Sequence, residues 1–291
     1  MKRIAIAAVF LLLPFFLQAQ EADTSYWTRG GVGTLTFSQV SLYQWTAGGE
    51  PSFSGAALLN LYANYKKDNI SWQNTLDLGY GLIRQGKDEN MVTKKSNDRI
   101  EFSSQFGLKA SEKWYYSGLV NFKTQFAKGY NYPNDVDVIS DFFSPAYLTV
   151  SLGMDYKATD NFQVFISPLT GKFTFVMDDT LSMQGAFGVD KGKNSRAEMG
   201  GFVKAAYKVK VMENVDLGTK IDLFSNYLKN PQNIDVNAEI LLAMKVNQFL
   251  SATLNVLMIY DDDVNLLQSD ETIGPGTQVK EVFGVGLSYT F

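Results

Sequence analysis

Thirteen ionisable side chains fall where a strand's polar face would carry them. They are Asp77, Arg99, Glu101, Lys123, Asp155, Arg196, Glu198, Lys204, Lys220, Asp222, Asp235, Glu239 and Lys245. A cavity lined by such residues can steer ions, cross-link its own wall or, where two carboxylates meet, transfer protons. Six are basic and seven acidic. A passage selective for ions of one sign carries an excess of one charge along its constriction, so a near-balanced set reads first as wall-to-wall ion pairing. Asp222, Asp235 and Glu239 are the carboxylates available for acid–base work. The chain has no histidine and no cysteine, which removes every His-activated nucleophile, the thiolate nucleophiles and the usual zinc ligand sets. The expectation is a protein that is not an enzyme and that needs no cofactor and no metal.

Acidic residues also crowd the segments between the alternating stretches: Asp135, Asp137 and Asp141, then Asp178 and Asp179, Asp261 to Asp263, and Asp270 with Glu271. Carboxylates at this spacing are oxygen ligands of the kind Ca²⁺ takes. No twelve-residue loop with fixed ligand positions is present, and solvation of exposed loops is the preferred reading.

The elements that must position these charges alternate with period two. In "SFSGAALLNLYANY", Phe53, Ala57, Leu59, Leu61 and Tyr65 share one face, while Ser54, Asn60 and Asn64 share the other. "ISWQNTLDLGYGLI" repeats the pattern, with Trp72, Leu76, Leu78 and Tyr80 opposite Gln73, Thr75 and Asp77. The alternation recurs along the chain to "VFGVGLSYTF" at residues 282–291. These stretches run to 10–15 residues, against the ~5–6 usual in soluble domains and the ~9–11 that a tilted strand needs to cross a bilayer. Aromatics such as Trp72, Trp114, Tyr156, Tyr207 and Tyr289 stand at the ends of the apolar faces, where girdles meet the two lipid–water interfaces.

Short links (66–69, 111–112, 158–160, 212–214, 247–248) alternate with longer ones (84–98, 127–145, 178–195, 261–277), with two intermediate links. Five short turns, six outer links and both ends on the same side predict an all-β, transmembrane, antiparallel up-and-down β-barrel of about twelve strands. Ten and fourteen remain open. The first strand is expected at Gly30 to Trp45, where Gln39 and Ser41 interrupt the apolar face. In the seventh, parity flips across "SPLTG". A bulge accounts for either interruption, since one added residue moves side chains to the opposite face.

Lys2 and Arg3 precede the apolar run Ile4 to Leu17 and the small residue Ala19, the pattern of a secretory signal peptide. The division expected is 1–20 signal peptide, 21–29 a short periplasmic segment and 30–291 the barrel. Removing the signal takes two of the 26 Lys+Arg and leaves 24 against 30 Asp+Glu, a net charge of −6. An acidic chain without a basic stripe excludes nucleic acid as a partner class.

"SQVSLYQWTAGGEPSFSG" followed by "WQNTLDLGYGL" resembles an uncharacterised family of exported Gram-negative barrel proteins, catalogued only as a domain of unknown function. The resemblance implies an integral outer-membrane barrel and supplies no substrate or catalytic residue. The tail, with Gly286, Tyr289 and Phe291, resembles the C-terminal β-signal that the barrel-assembly machinery reads. Expected surroundings are therefore outer-membrane lipid and lipopolysaccharide, that machinery during insertion, and other envelope proteins. Two functions follow. One is a narrow pore for passive passage of small polar solutes; the other is an electrically silent structural or assembly partner of envelope proteins.

Overall fold

The computed structural model describes residues 26–43, 50–86, 91–132, 134–267 and 272–291. The signal segment, residues 21–25 and 44–49, and the acidic pair Asp270 and Glu271 lie outside the described residues. Twelve long strands form the wall: β1 Trp27–Val40, β2 Ser52–Lys67, β3 Ile70–Gln85, β4 Val92–Lys109, β5 Trp114–Thr124 and β6 Ala146–Thr159, then β7 Phe162–Phe175, β8 Ser195–Met212, β9 Val215–Asn226, β10 Ile234–Lys245, β11 Leu250–Tyr260 and β12 Gln278–Thr290. Each pairs antiparallel with its sequence neighbours, and β12 returns to β1, so the sheet is a closed barrel of twelve strands. Closure leaves no free edge around most of the wall, the condition for a sheet to lie in a bilayer.

Period two fixes which side chains face where. Leu59 lies beside Leu78, Leu78 beside Ile100, and Leu254 beside Phe283 across successive ladders. These rows are exposed at positions such as Phe102, Leu152 and Phe283. An apolar face left open around a closed wall is a lipid face. At the short-turn end the belt is aromatic. Trp27 stands against Tyr65 and Trp72 at 5.3 and 5.6 Å, Trp114 against Tyr156 at 4.7 Å, and Tyr289 stacks on Phe291 at 6.1 Å.

The two interruptions resolve differently. In β7 a bulge is present. Leu152 faces Leu169 but Met154 faces Ile166, and on the other side Gly200 faces Thr170 but Phe202 faces Ser167. Both neighbours skip one residue where β7 skips two. Pro168 sits in that extra step, where a residue without an N–H breaks no ladder bond. Opposite it, a Cβ on Gly153 would run into the Ile166 carbonyl oxygen, so only glycine lets β6 approach. In β1 there is no bulge. Its register with β2 is unbroken from Trp27–Tyr65 to Val40–Ser52, and the strand ends before Ser41. β1 thus begins and ends earlier than the expected Gly30 to Trp45.

The link expected at 84–98 is a second correction. β3 runs to Gln85 and β4 starts at Val92, paired Gln85–Val92. The polar stretch 92–98 carries no lipid-face alternation, yet the β3–β4 ladder continues through it past one register shift near Gly81. Backbone pairing, not side-chain pattern, holds this extension. Glu50, on the neighbouring link, accepts a hydrogen bond from Gln85 Nε2 at 3.1 Å. The link before β8 carries a short α-helix, α1 Asp179–Gln184, N-capped by Asp178 and closed by Gly185 in the left-handed region, and a 3-10 turn Ala186–Gly188.

Candidate functional site

The inner face concentrates its charges in two layers. The middle layer joins β4, β5, β9 and β10. Arg99 on β4 donates to both oxygens of Glu239 on β10, at 2.9 and 3.3 Å, and to Glu101 at 2.5 Å. Glu101 also meets Lys123 at 3.5 Å and accepts from Asn121; Lys123 reaches Asp222 on β9 at 3.8 Å. Asn255 donates to Glu239 at 2.7 Å. Lys204 lies in register with Asp222, and Lys220 with Glu239.

β4 and β10 stand six strands apart in a ring of twelve, on opposite walls. A circular ring at ~4.8 Å strand spacing and ~40° tilt is about 24 Å across at the backbone. Two extended side chains and the bond between them reach roughly 15 Å. The Arg99–Glu239 contact therefore requires a section flattened along this direction, and it braces the lumen from wall to wall. Two further contacts also cross. Lys157 on β6 donates to Ser71 on β3 at 3.0 Å, and Lys280 on β12 donates to Asn97 on β4 at 3.3 Å.

The second layer lies at the long-loop end. Lys172 contacts Asp235, Asp261 and Glu198 at 2.6, 3.1 and 3.9 Å. Arg196 contacts Glu198 and Asp263 at 2.6 and 2.8 Å, and Lys229 reaches Asp263 at 2.8 Å. Asn226 donates to Glu198, and Asn233 donates to Asp262. The run Asp261 to Asp263, expected to be solvated loop, is folded inward as the acidic half of this cap. Burial alone would raise the Asp263 carboxyl, but the hydrogen bond from Lys229 and the charge of Arg196 outweigh it and hold it below the usual carboxylate range. The bond to Asp263 in turn raises the Lys229 ammonium. A space of about 10 Å³ remains among Glu198, Asn226, Asn233, Asp235 and Asp262, room for about one water.

Beside these layers the lumen holds apolar bulk. Leu119, Phe165, Phe202 and Phe224 point inward from β5, β7, β8 and β9 and pack as one buried cluster, with Phe165 and Phe202 at 6.3 Å. Near the short-turn end Asp155 is buried with Lys157 at 3.8 Å. Asp77 accepts from Asn60 on the neighbouring strand, and Lys245 stands in register with Ser251 at the short-turn rim.

Of the charges singled out, Arg99, Glu101, Lys123, Asp222 and Glu239 come together in the middle layer; Arg196, Glu198 and Asp235 come together in the outer one. Asp77 borders the middle layer, in register with Glu101, and Asp155 and Lys245 stand outside both. Lys172, the centre of the outer layer, was not singled out, because the parity flip in β7 obscured its face. Locating the bulge at Pro168 would have found it, since Lys172 then falls inward beside Thr170 and Thr174. Lys157 and Lys280 carried no signal beyond alternation. Among the described residues no group of three or more carboxylates is arranged to hold a metal ion.

The tail residues take separate places. Tyr289 and Phe291 belong to the aromatic belt at the short-turn end, and the Phe291 and Gly31 backbones exchange two hydrogen bonds at 2.9 and 3.0 Å. Gly286 faces Thr36, and a Cβ there would collide with the Leu35 carbonyl oxygen.

Solved structures similar to this chain include an outer-membrane channel from Pseudomonas putida F1, at 12% identity, TM-score 0.40, covering 93% of this chain and 97% of that one. The NanC porin matches at 8% identity and TM-score 0.39, covering 89% and 98%. The translocator domain of the autotransporter NalP from Neisseria meningitidis matches at 10% identity and TM-score 0.36, covering 93% and 90%. No curated protein sequence matches the chain. Residues 37–130, from the end of β1 through β5 to Tyr130, match the family model described as "Protein of unknown function (DUF3078)".

Proposed function

We propose that this protein is an integral outer-membrane barrel whose lumen is a narrow, normally shut passage for small polar solutes, closed at mid-height by the Arg99–Glu239 bridge. That bridge is the observation that carries the reading. It joins opposite walls through side chains alone, so rotation of one guanidinium releases that brace without disturbing the ladder. The walls on either side present Lys123, Lys204, Lys220, Asp222 and Glu101, a lining of both signs. Such a lining passes polar molecules without strong ion selectivity. Lipopolysaccharide and outer-membrane lipid surround the apolar belt, and the barrel-assembly machinery receives the terminal segment bearing Gly286, Tyr289 and Phe291.

A second reading has its own support. The apolar cluster Leu119, Phe165, Phe202 and Phe224 occupies lumen volume that a water-filled passage would leave open. It favours a sealed barrel that serves other envelope proteins. Planar-bilayer recording of the refolded barrel separates the two, with a heat-dependent gel shift confirming closure first. The passage predicts rare, brief openings in the wild type and frequent ones in Arg99→Ala/Glu239→Ala. A verified double variant that stays silent overturns the passage and leaves the sealed barrel.

A further inference from the structure

The seam between β1 and β12 is incomplete. β1 pairs with β2 along its whole length, fourteen positions from Trp27 to Val40. Its other edge meets β12 only from Val32 to Thr36, extended by the Gly31–Phe291 bonds. The other barrel ladders each hold ten or more paired positions. Continued in register, the seam would set Phe37 against Val285, Ser38 against Gly284, Gln39 against Phe283 and Val40 against Val282. None of these four pairs forms.

The phase of the ladder shows what is left open. Gly31 and Phe291 exchange bonds across the seam, so odd-numbered residues of both strands aim their N–H and C=O groups at it. Phe37, Gln39, Phe283 and Val285 continue that phase beyond the last pair and present eight backbone groups to the gap. β1's backbone crosses so close at Gly286 that only a glycine fits, and β12 still touches β1 at Gly284, whose Cβ position lies 3.1 Å from Thr36 Cγ2; the strands part beyond that contact.

The gap lies at membrane depth. Phe283 stands six to eight residues above Tyr289 and Phe291. At ~3.3 Å per residue and ~40° tilt that is roughly 15–20 Å, within the ~25 Å apolar band. Phe37 and Phe283 are about 60% exposed, at 60% and 63%. Lipid offers no donor or acceptor at this depth, and unpaired backbone facing it is costly. An acyl chain fills volume but offers neither donor nor acceptor. An extended polypeptide offers both at the strand's own period, and the free edges continue a ladder already formed.

We propose that the outer half of the β1–β12 seam is a strand-accepting site. An extended segment of a partner polypeptide, apolar toward lipid and small or polar toward the lumen, adds itself beside Phe37–Val40 and Val282–Val285 and completes their hydrogen bonds.

The chain has no cysteine, so disulfide trapping reports on introduced thiols alone. In lipid vesicles, Ser38→Cys/Gly284→Cys and Val40→Cys/Val282→Cys place thiols at two positions where the seam would be in register. Both variants are first verified as closed barrels by the heat-dependent gel shift. The open site predicts that less than a tenth of either closes its own disulfide under mild oxidant. The probe is a synthetic peptide of residues 282–291 with cysteine at its Gly284 position, added to the single variant Ser38→Cys. At least ten-fold more mixed disulfide is expected with this peptide than with a scrambled one carrying the same cysteine. Rapid internal closure of both double variants would mean that the seam zips by itself, and would overturn the proposal. Equal trapping of ordered and scrambled peptides would mean that lipid alone fills the gap, and would overturn it as well.

Discussion

Replacing Arg99 by methionine keeps most of the side chain's volume and removes the guanidinium that spans the lumen. Three hydrogen bonds are lost, two to Glu239 and one to Glu101. Charge-assisted bonds contribute about 1.5–3 kcal/mol each, but the partners do not end equally bare. Glu101 keeps Lys123 and Asn121, and Glu239 keeps Asn255. Breaking one partner of a buried pair costs about 3–5 kcal/mol. With the Arg99 side chain one-third exposed, solvent screening places the loss nearer 2–3 kcal/mol. Glu239→Gln on its own removes the charge but keeps a hydrogen-bonding amide, and about 1–2 kcal/mol is expected. The decisive quantity is the coupling. Because Arg99 has no second function at Glu239, the double variant should cost less than the sum of the singles by about 1–2 kcal/mol. Urea midpoints of barrels refolded into lipid vesicles, read by the heat-dependent gel shift, measure all three. Additivity within about 0.5 kcal/mol would show that the two side chains do not hold each other. The wall-to-wall brace, and the shut passage built on it, would then fall together.

Phe165→Ala empties a fully buried site in the lumen cluster and should cost about 3–4 kcal/mol, seen as a lower urea midpoint; a loss under 1 kcal/mol would mean the cluster is not packed in solution. Gly153→Val drives a side chain into the backbone opposite the β7 bulge and should reduce the yield of heat-shifted barrel several-fold, whereas Gly118→Ala, whose methyl would meet Leu152 Cδ2 at an ordinary 3.5 Å, should not. The Asp263–Lys229 contact fixes the loop after β11 to the link after β9. Asp263 is held below its ordinary range, so its contribution is complete above the unfolded value of ~4 and is lost as pH falls through the lower folded one. Lys229 is raised, so its contribution is complete below ~10.4 and is lost only above that. Protease nicking of the loop after β11 should therefore stay slow from about pH 5 to 10 and quicken as pH falls below ~4; a rate independent of acid would remove the clamp.

The alternation of short and long links pointed to an up-and-down barrel with an even strand number. Period-two alternation pointed to the lipid face and to the inward direction of most lumen charges, both of which follow from side chains taking opposite faces in turn, a property of neighbouring residues. The bulge at Pro168 was visible as a parity flip for the same reason. Only the closed ring decided what those charges meet. Arg99 and Glu239 are separated by 140 residues, and nothing local to either announces that a flattened section brings opposite walls within reach. Lys172 meets Glu198 of neighbouring β8 and, across the lumen, Asp235 of β10, and gains Asp261 because the link after β11 folds inward. The β3–β4 extension persists through backbone pairing that leaves no trace in residue type. The β1–β12 seam is the furthest case. Its strands are the first and last of the barrel, and where their ladder stops depends on how the whole ring closes and on the crossing at Gly286.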